Sequence, residues 1–460
     1  MKKTKINQLP ALLAVGLFLS ITSAGIGFGQ KKEKQEKDPY TRKGASSQTA
    51  DIAKPETTIV IGVQLAEVPS AKIREWDEEG LTGNEWRERV QKLVDAGEAK
   101  IVDSVAGSFL SGTRGRFRSV MQMRYPTVLE QISDSPDDPP FPKEFATSNH
   151  GISFEADPVL NAAHDELDLN FAIEWSRYLG EAPGARTETD RVQATDVLEP
   201  LFSFQKTTRQ ARLPIGEYQV LSRIEPNDPE KKDDFAVIIF GRADLVVASP
   251  IVDQEAVSAV KELLFRATWV EVDAETWHAA LHKNSLSTWF GGKAWENVLA
   301  WEKDGSAKII ASTAIGSPSG QRAKVEIAEL LSYQDSFPVP GGSSDRGEES
   351  RTSKMEERQL GHVFEVDPVM GVNGIIHFNQ SAISTSLHGY STSYRKLEGS
   401  EWVPFVQFPK FYESSITAQV YLGENSDFLV GVGTPSLEDG QPDTSRKWVF
   451  FIHNDTFDTE

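Results

Sequence analysis

The chain has 460 residues, of which 39% are hydrophobic and 25% are charged, so it is long enough for two or three globular domains. It contains no cysteine, which excludes a catalytic thiol, a zinc–thiolate site, a disulfide and lipid attachment to cysteine. The formal net charge of −20 disfavours binding through phosphate groups, so no nucleic-acid partner is predicted.

The N-terminal part is predicted to precede the folded part of the chain. A lysine-rich start is followed by an apolar stretch from Leu9 to Ile26 that contains small residues suited to cleavage. Residues 1–30 are therefore interpreted as an export signal peptide, with an uncleaved membrane anchor as the alternative. Residues 31–57 are rich in Lys, Glu, Ser and Thr, a composition that predicts a disordered linker.

Helices and strands then follow one plan twice. In each half a short helix, an amphipathic helix that stops at Gly97 or Gly305, and a β-branched strand come in the same order. The predicted helices are 71–78, 84–97, 274–282 and 292–305, and the predicted strands are 57–68, 99–110, 115–125, 167–175, 218–224, 235–241, 307–318, 320–333, 374–383, 427–433 and 447–453. Polar loops are predicted at 132–150 and 336–358.

Two sequence words recur at nearly one offset. GISFEADPV at 151–159 returns as GHVFEVDPV at 361–369, and AGEAKI at 96–101 returns as DGSAKI at 304–309. Asp157 and Asp367 are 210 positions apart (367 − 157). The repetition predicts an α+β fold of two tandem modules, residues 58–250 and 267–455, joined by a linker helix at 251–266.

The order of elements and the repeated word resemble the C-terminal β-domain of bacterial secretins, which form rings in type II and type III secretion and in type IV pili. The shared features are a helix followed by a Gly-containing turn, an alternating strand and a Gly-x-x-Phe-x-x-Asp-Pro strand. The residues that carry the resemblance are Gly115, Gly151, Phe154, Asp157, Pro158, Gly320, Gly361, Phe364, Asp367 and Pro368.

The resemblance implies a non-enzymatic, exported protein of the cell envelope, in the periplasm or associated with the outer membrane. It implies a structural or assembly role in a secretion or pilus machine. The implied partners are envelope or secretion-system proteins and further copies of the chain. No catalytic, cofactor-binding or metal-binding residue is predicted.

Two residue patterns leave alternatives open. Glu155 and Asp157, and the matching pair in the second word, allow two interpretations. They are acid–base groups or calcium ligands, or they are carboxylates on the solvent face of a strand with a turn before proline. We favour the second interpretation. His278 and His282 share a helix face at metal-ligand spacing but lack a third ligand. A periplasmic hydrolase and a soluble ligand-binding module remain the alternative functions.

Overall fold

The computed structural model describes residues 55–130, 141–183, 198–224, 235–251, 262–283, 285–291, 294–337, 354–398, 401–423 and 425–457. The helices are α1 (Ser70–Asp77), α2 (Gly83–Asp95), α3 (Ala274–Lys283), α4 (Leu286–Phe290) and α5 (Ala294–Asp304). The strands of the first half are β1 (Glu56–Pro69), β2 (Lys100–Phe109), β3 (Gly115–Glu130), β4 (Phe141–Leu160), β5 (Glu166–Pro183), β6 (Leu198–Pro214), β7 (Tyr218–Ile224) and β8 (Phe235–Ala248). The strands of the second half are β9 (Glu262–Asp273), β10 (Ala307–Ser317), β11 (Ala323–Ser336), β12 (Lys354–Met370), β13 (Ile376–Glu398), β14 (Glu401–Leu422), β15 (Asp427–Gly433) and β16 (Arg446–Phe457).

The strands form two eight-stranded sheets with antiparallel neighbours. Sheet A has the order β10-β9-β16-β15-β2-β1-β8-β7, and sheet B has the order β11-β12-β13-β14-β3-β4-β5-β6. Each sheet therefore holds four adjacent strands of the second half beside four adjacent strands of the first half. The fold is α+β and mainly β.

Sheet A is covered on both faces. Its inner face packs on sheet B around a shared core that includes Val63, Phe154 and Phe364. On the other face, Trp76 of α1 and Trp86 of α2 pack edge to face, with ring centroids 5.2 Å apart. Burial on both sides explains why β1, β8, β15 and β16 are continuous apolar runs, whereas strands of sheet B alternate.

Helix α2 begins with a reciprocal cap. The Thr82 hydroxyl accepts the Glu85 N–H at 3.4 Å, and the Glu85 carboxylate accepts the Thr82 N–H at 2.8 Å. Both bonds satisfy N–H groups that the first helical turn leaves unpaired. This capping box fixes the start of the helix that carries Trp86 and Val90 into the core.

The structure confirms the predicted helices and strands, with their starts within about three residues, but several strands, such as β13, are much longer than predicted, and β6, β9 and β14 were not predicted. It corrects three predictions. Residues 262–266 are strand rather than linker helix, because Leu263 and Phe265 point into the core with the period of two that a strand requires.

The predicted polar loops are also shorter than expected. Strand β4 begins at Phe141 and β12 at Lys354, so the ends of both loops extend neighbouring strands and gain their hydrogen bonds. The linker predicted to end at residue 57 ends earlier, since β1 begins at Glu56. The signal peptide, most of the linker and residues 252–261 lie outside the described residues.

Within the described ranges, none of the helices combines the length and the apolar character needed to cross a membrane.

Candidate functional site

The carboxylates of the first repeated word bind an arginine. Arg114, just before β3, lies 3.3 Å from Glu155 and 3.7 Å from Asp157 on the neighbouring β4. The Arg114 side chain is 67% exposed, so this contact contributes at most about 1 kcal/mol to stability.

The second word repeats the arrangement. Arg322, just before β11, lies 3.3 Å from Glu365 and 3.6 Å from Asp367 on β12. In neither word do the carboxylates face each other across a pocket, as an acid–base pair would. The interpretation as a turn before proline is wrong, because both Asp–Pro pairs lie inside strands, where the residue before proline is favoured in the extended region.

Other motif residues occupy matching positions in the two words. Phe154 and Phe364 are buried in the shared core. The Pro158 carbonyl accepts the N–H of Gly112 at 2.8 Å, and the Pro368 carbonyl accepts the N–H of Gly320 at 2.7 Å. Gly115 does not share the position of Gly320. Gly115 corresponds instead to Ala323, because Gly115 lies opposite Ala156 and Ala323 lies opposite Val366 in the paired strands. A Cβ on Gly115 would lie 2.8 Å from the Phe109 ring.

Gly151 and Gly361 hold matching strained positions within β4 and β12. Their φ angles are +135° and +133°. A Cβ on either would lie 2.2 Å from a carbonyl oxygen of the next strand, that of Ser119 or Ile327. Only glycine fits such a position.

The two histidines at metal-ligand spacing do not form one site. His278 lies at the seam of the two halves, where its Nε2 is 3.0 Å from the Ser104 hydroxyl, whereas His282 is exposed. In the described part of the chain no three His, Asp or Glu side chains are grouped as metal ligands. Ser104 is 1% exposed, so a substrate cannot reach this serine–histidine pair.

The two halves meet at what we call the internal seam, where β15 pairs with β2 in sheet A and β14 pairs with β3 in sheet B. Gly431 lies opposite Gly107, and the Phe117 ring of sheet B covers both. A Cβ would come within 1.9 Å of that ring at Gly107 and within 2.7 Å at Gly431. The close approach of the two sheets here therefore depends on glycine at both positions.

A buried ion pair crosses the internal seam. Lys447 of β16 and Asp103 of β2 are 0% and 1% exposed, and the Lys447 ammonium donates to Asp103. It also donates to the Thr434 hydroxyl at 2.9 Å and to the Ser104 carbonyl at 3.0 Å. Burial, followed by the positive charges of Lys447 and Arg87, lowers the pKa of the adjacent His278 to about 3, so this histidine is neutral.

Each sheet also ends in edge strands that have no neighbour among the described residues: β7 and β10 in sheet A, and β6 and β11 in sheet B. The edges of sheet B expose large apolar side chains, with Phe204 58% and Leu330 61% exposed. Long apolar edges are templates for pairing with another strand. Gln205 of β6 is buried, and neither atom of its amide has a hydrogen-bonding partner in the described residues.

His150 lies close to the β6 edge and makes stability depend on pH. Its ring stacks on Phe202 at 3.9 Å, and burial lowers its pKa to about 4. As the pH falls, the unfolded chain, with an ordinary histidine pKa near 6.5, binds the proton first. The contribution of His150 to the free energy of unfolding is therefore fully present above pH 6.5 and is lost as the pH falls toward 4.

Between pH 7 and pH 5 we expect the free energy of unfolding to fall by about 2 kcal/mol because of His150. Urea unfolding at both pH values measures this fall, and His150→Phe should remove that part of it. An equal fall in both proteins would contradict the assignment.

Sequence reasoning missed the internal seam and the edges. Lys447 and Asp103 are 344 positions apart, and no local pattern marks them as partners. The apolar residues on both faces of β11, among them Ile327 and Leu330, were the available signal, because such a pattern indicates more than one buried side.

Comparison with known proteins finds no matching family model and no matching curated protein. Among solved structures, the chain is similar to the type II secretin GspD from enteropathogenic Escherichia coli, with 12% identity and a TM-score of 0.24 over 52% of this chain and 79% of that one. It is similar to the type IV competence pilus secretin PilQ of V. cholerae, with 8% identity and a TM-score of 0.22 over 88% of this chain and 62% of that one. For the type III injectisome secretin InvG of Salmonella the identity is 10% and the TM-score 0.23, over 62% of this chain and 88% of that one. Similarity at this level does not assign the chain to a family.

Proposed function

We propose that the chain is a non-enzymatic structural protein of the cell envelope, made of two copies of one secretin-like module, that assembles head to tail through its sheet edges. The single observation that carries this is the strand order. If the strands of each half are numbered one to eight along the chain, sheet A contains strands two, one, eight and seven of the second half, followed by the same four of the first half in the same order. Sheet B contains strands three, four, five and six of the second half, followed by the same four of the first half.

Matching side-chain positions support the two-copy proposal, with modules at 58–250 and 267–455. Asp157 lies opposite Asn170, which lies opposite Gln210. In the second half an aspartate, an asparagine and a glutamine lie opposite one another in the same way, at positions 367, 379 and 419.

The internal seam supplies the geometry of assembly. It joins the end of one module to the start of the next, so it is a head-to-tail contact that leaves a free end on each side. Repeating it between chains would place β7 beside β10 and β6 beside β11. Such a contact closes into a ring if the rotation per chain allows, and otherwise makes a filament.

The residues at the free edges fit this contact. Matching residues of the two halves differ in number by 209 (379 − 170) in one set of strands and by 208 (308 − 100) in another. Ser414 and Ser119 lie opposite each other at the internal seam. Applying these offsets to them gives Gln205 and Ile327 as the matching residues at the free edges. The next pair in the same register sets Lys206 opposite Glu326, which are opposite charges.

The side chains between the two sheets differ in size between the internal seam and the free edges, but the differences offset each other. Where the internal seam has two glycines beneath a phenylalanine, the free edges carry Ile315 and Ser222, with the smaller Val325 in place of the ring. Larger residues in the sheet A strands thus accompany a smaller residue from sheet B, as conserved packing volume requires.

The envelope location rests on the predicted signal peptide, and a role in secretion or pilus machinery rests on the sequence resemblance to secretins. The partners proposed are further copies of the chain and envelope or secretion-system proteins. A hydrolase gains no support from the described carboxylates, because the repeated pairs bind Arg114 and Arg322 on an exposed surface.

Cysteine pairs in the full-length chain test the assembly, since the natural sequence has no thiol. We expect Gln205→Cys with Ile327→Cys to form disulfides between chains and to produce a ladder of covalent oligomers. Opposite residues in antiparallel strands have Cα atoms about 4.5–5.5 Å apart, within the range that a disulfide spans. Negative-stain imaging of the same sample then distinguishes rings from filaments.

Two matched pairs control the experiment. Ser119→Cys with Ser414→Cys, whose hydroxyl oxygens are 3.2 Å apart, should form a disulfide within one chain and no ladder. Gln205→Cys with Glu329→Cys shifts the register by two residues and should link poorly. Unlinked monomers in the Gln205/Ile327 variant, together with monomeric particles in the images, would overturn the proposal.

A further inference from the structure

A pocket of about 160 Å³ opens on the outer face of sheet A in the second half. It is lined by Arg266, Thr268, Trp295, Asp427, Phe451 and His453. His453 lies 2.8 Å from Asp427 through Nδ1 and 3.0 Å from Asp455 through Nε2. These groups form a polar rim beside an aromatic floor.

The matching surface of the first half is covered. Arg242 of the first half corresponds to His453 of the second half, because Arg242 lies opposite Gly62 and His453 lies opposite Arg266. Each also contacts an aspartate two residues later in its own strand: Arg242 binds Asp244 at 2.9 Å, and His453 binds Asp455. Helix α4 of the second half covers this surface across the internal seam.

The cover is held by two contacts. The N–H of Leu286 donates to Asp244 at 2.8 Å. The Leu286 side chain fills the space above Gly62, where a Cβ would lie 3.2 Å from it. Asp244 and Gly62 therefore act as a receiving site for the segment that connects two helices of the adjoining module.

We propose that the pocket of the second half receives the connection between α1 and α2, residues 78–82, of the next copy of the chain. This inference rests on the head-to-tail assembly proposed above. In that arrangement the first half of the next copy adjoins β10, and its α1–α2 connection occupies the place that α4 has relative to the first half.

The pocket of the second half and the α1–α2 connection of the first half carry opposite charges. Arg266 stands where the first half has Gly62; its guanidinium lies 3.9 Å from the Asp455 carboxylate, and 51% of its side chain is exposed to a further partner. The connection carries Glu78 and Glu79, both exposed. Glu79 is already bound to Arg89 at 2.6 Å, whereas the Glu78 carboxylate has no ion-pair partner among the described residues. An apolar contact within the chain is thus replaced by an Arg266–Glu78 ion pair between chains.

Charge reversal tests this contact in the full-length chain, with assembly measured by sedimentation. We expect Arg266→Glu and Glu78→Lys each to weaken assembly about tenfold. The double variant should recover to within about threefold of the natural protein, because the pair is restored with its charges exchanged. Arg116→Glu, an equally drastic change at an exposed residue of β3, should have no such effect.

A cross-link supplies a second readout that does not depend on affinity. Glu78→Cys with Arg266→Cys should join different chains, and Glu75→Cys with Arg266→Cys should not. If the natural chain stays monomeric, the assembly itself is wrong. If it assembles, but the charge reversals have no effect and the Glu78→Cys/Arg266→Cys variant does not link, the pocket assignment is wrong while the assembly stands.

Discussion

Replacing Lys447 by methionine is expected to cost about 3–5 kcal/mol of unfolding free energy. The methionine matches the aliphatic part of lysine, so little packing is lost. The Asp103 carboxylate would remain buried at 1% exposure, and its remaining donors among the described residues would be the Ser104 N–H and the Thr434 hydroxyl. A buried charge without its counter-ion is the reason for the large effect.

Equilibrium unfolding in urea measures this change, and two variants interpret it. Arg446→Met removes the adjacent, exposed ion pair with Glu271 and should cost about 1 kcal/mol or less. Lys447→Met combined with Asp103→Asn should be more stable than Lys447→Met alone, because asparagine is neutral and still accepts the Ser104 N–H. A Lys447→Met cost as small as that of Arg446→Met would mean that the seam does not depend on the ion pair.

Replacing Gly361 by alanine is expected to cost about 3–5 kcal/mol, and the same holds for Gly151. Two effects add. The φ angle of +133° at Gly361 lies where residues with a Cβ are strained, and the new Cβ would lie 2.2 Å from the Ile327 carbonyl oxygen. The obstacle is backbone of a paired strand, so a side-chain rotation cannot relieve it.

Thermal and urea unfolding of Gly320→Ala provide the matched comparison. Gly320 also has a positive φ, +81°, but a Cβ there meets no atom within 4 Å. We expect it to lose about 1–2 kcal/mol, the strain alone. Equal losses at Gly361 and Gly320 would show that the close approach of β11 and β12 is not tight.

The predictability of the strands differed between the sheets. Most strands of sheet A were predicted from the sequence because burial on both faces makes them apolar runs, but β9 was not, since its first residues fall within the predicted linker helix. Strand β6 was not predicted, because its exposed and buried positions are filled largely by Gln, Lys, Thr and Arg, whose composition resembles a loop. Its β structure comes from pairing with β5 along its length.

The candidate site could be predicted only in part, for a related reason. The repeated carboxylates were visible as residues, and their placement on a solvent face of a strand was expected. Their partner Arg114 precedes β3, and only the pairing of β3 with β4 brings it to Glu155.

By itself, the sequence determined what depends on neighbours along the chain: the helices, the apolar strands, and the repeated words that predict two modules. Only the tertiary structure decided which strands lie side by side, where the two halves meet, and which edges and which pocket remain open. Contacts such as Lys447–Asp103 join residues 344 positions apart, and their formation depends on how whole sheets pack rather than on any local preference.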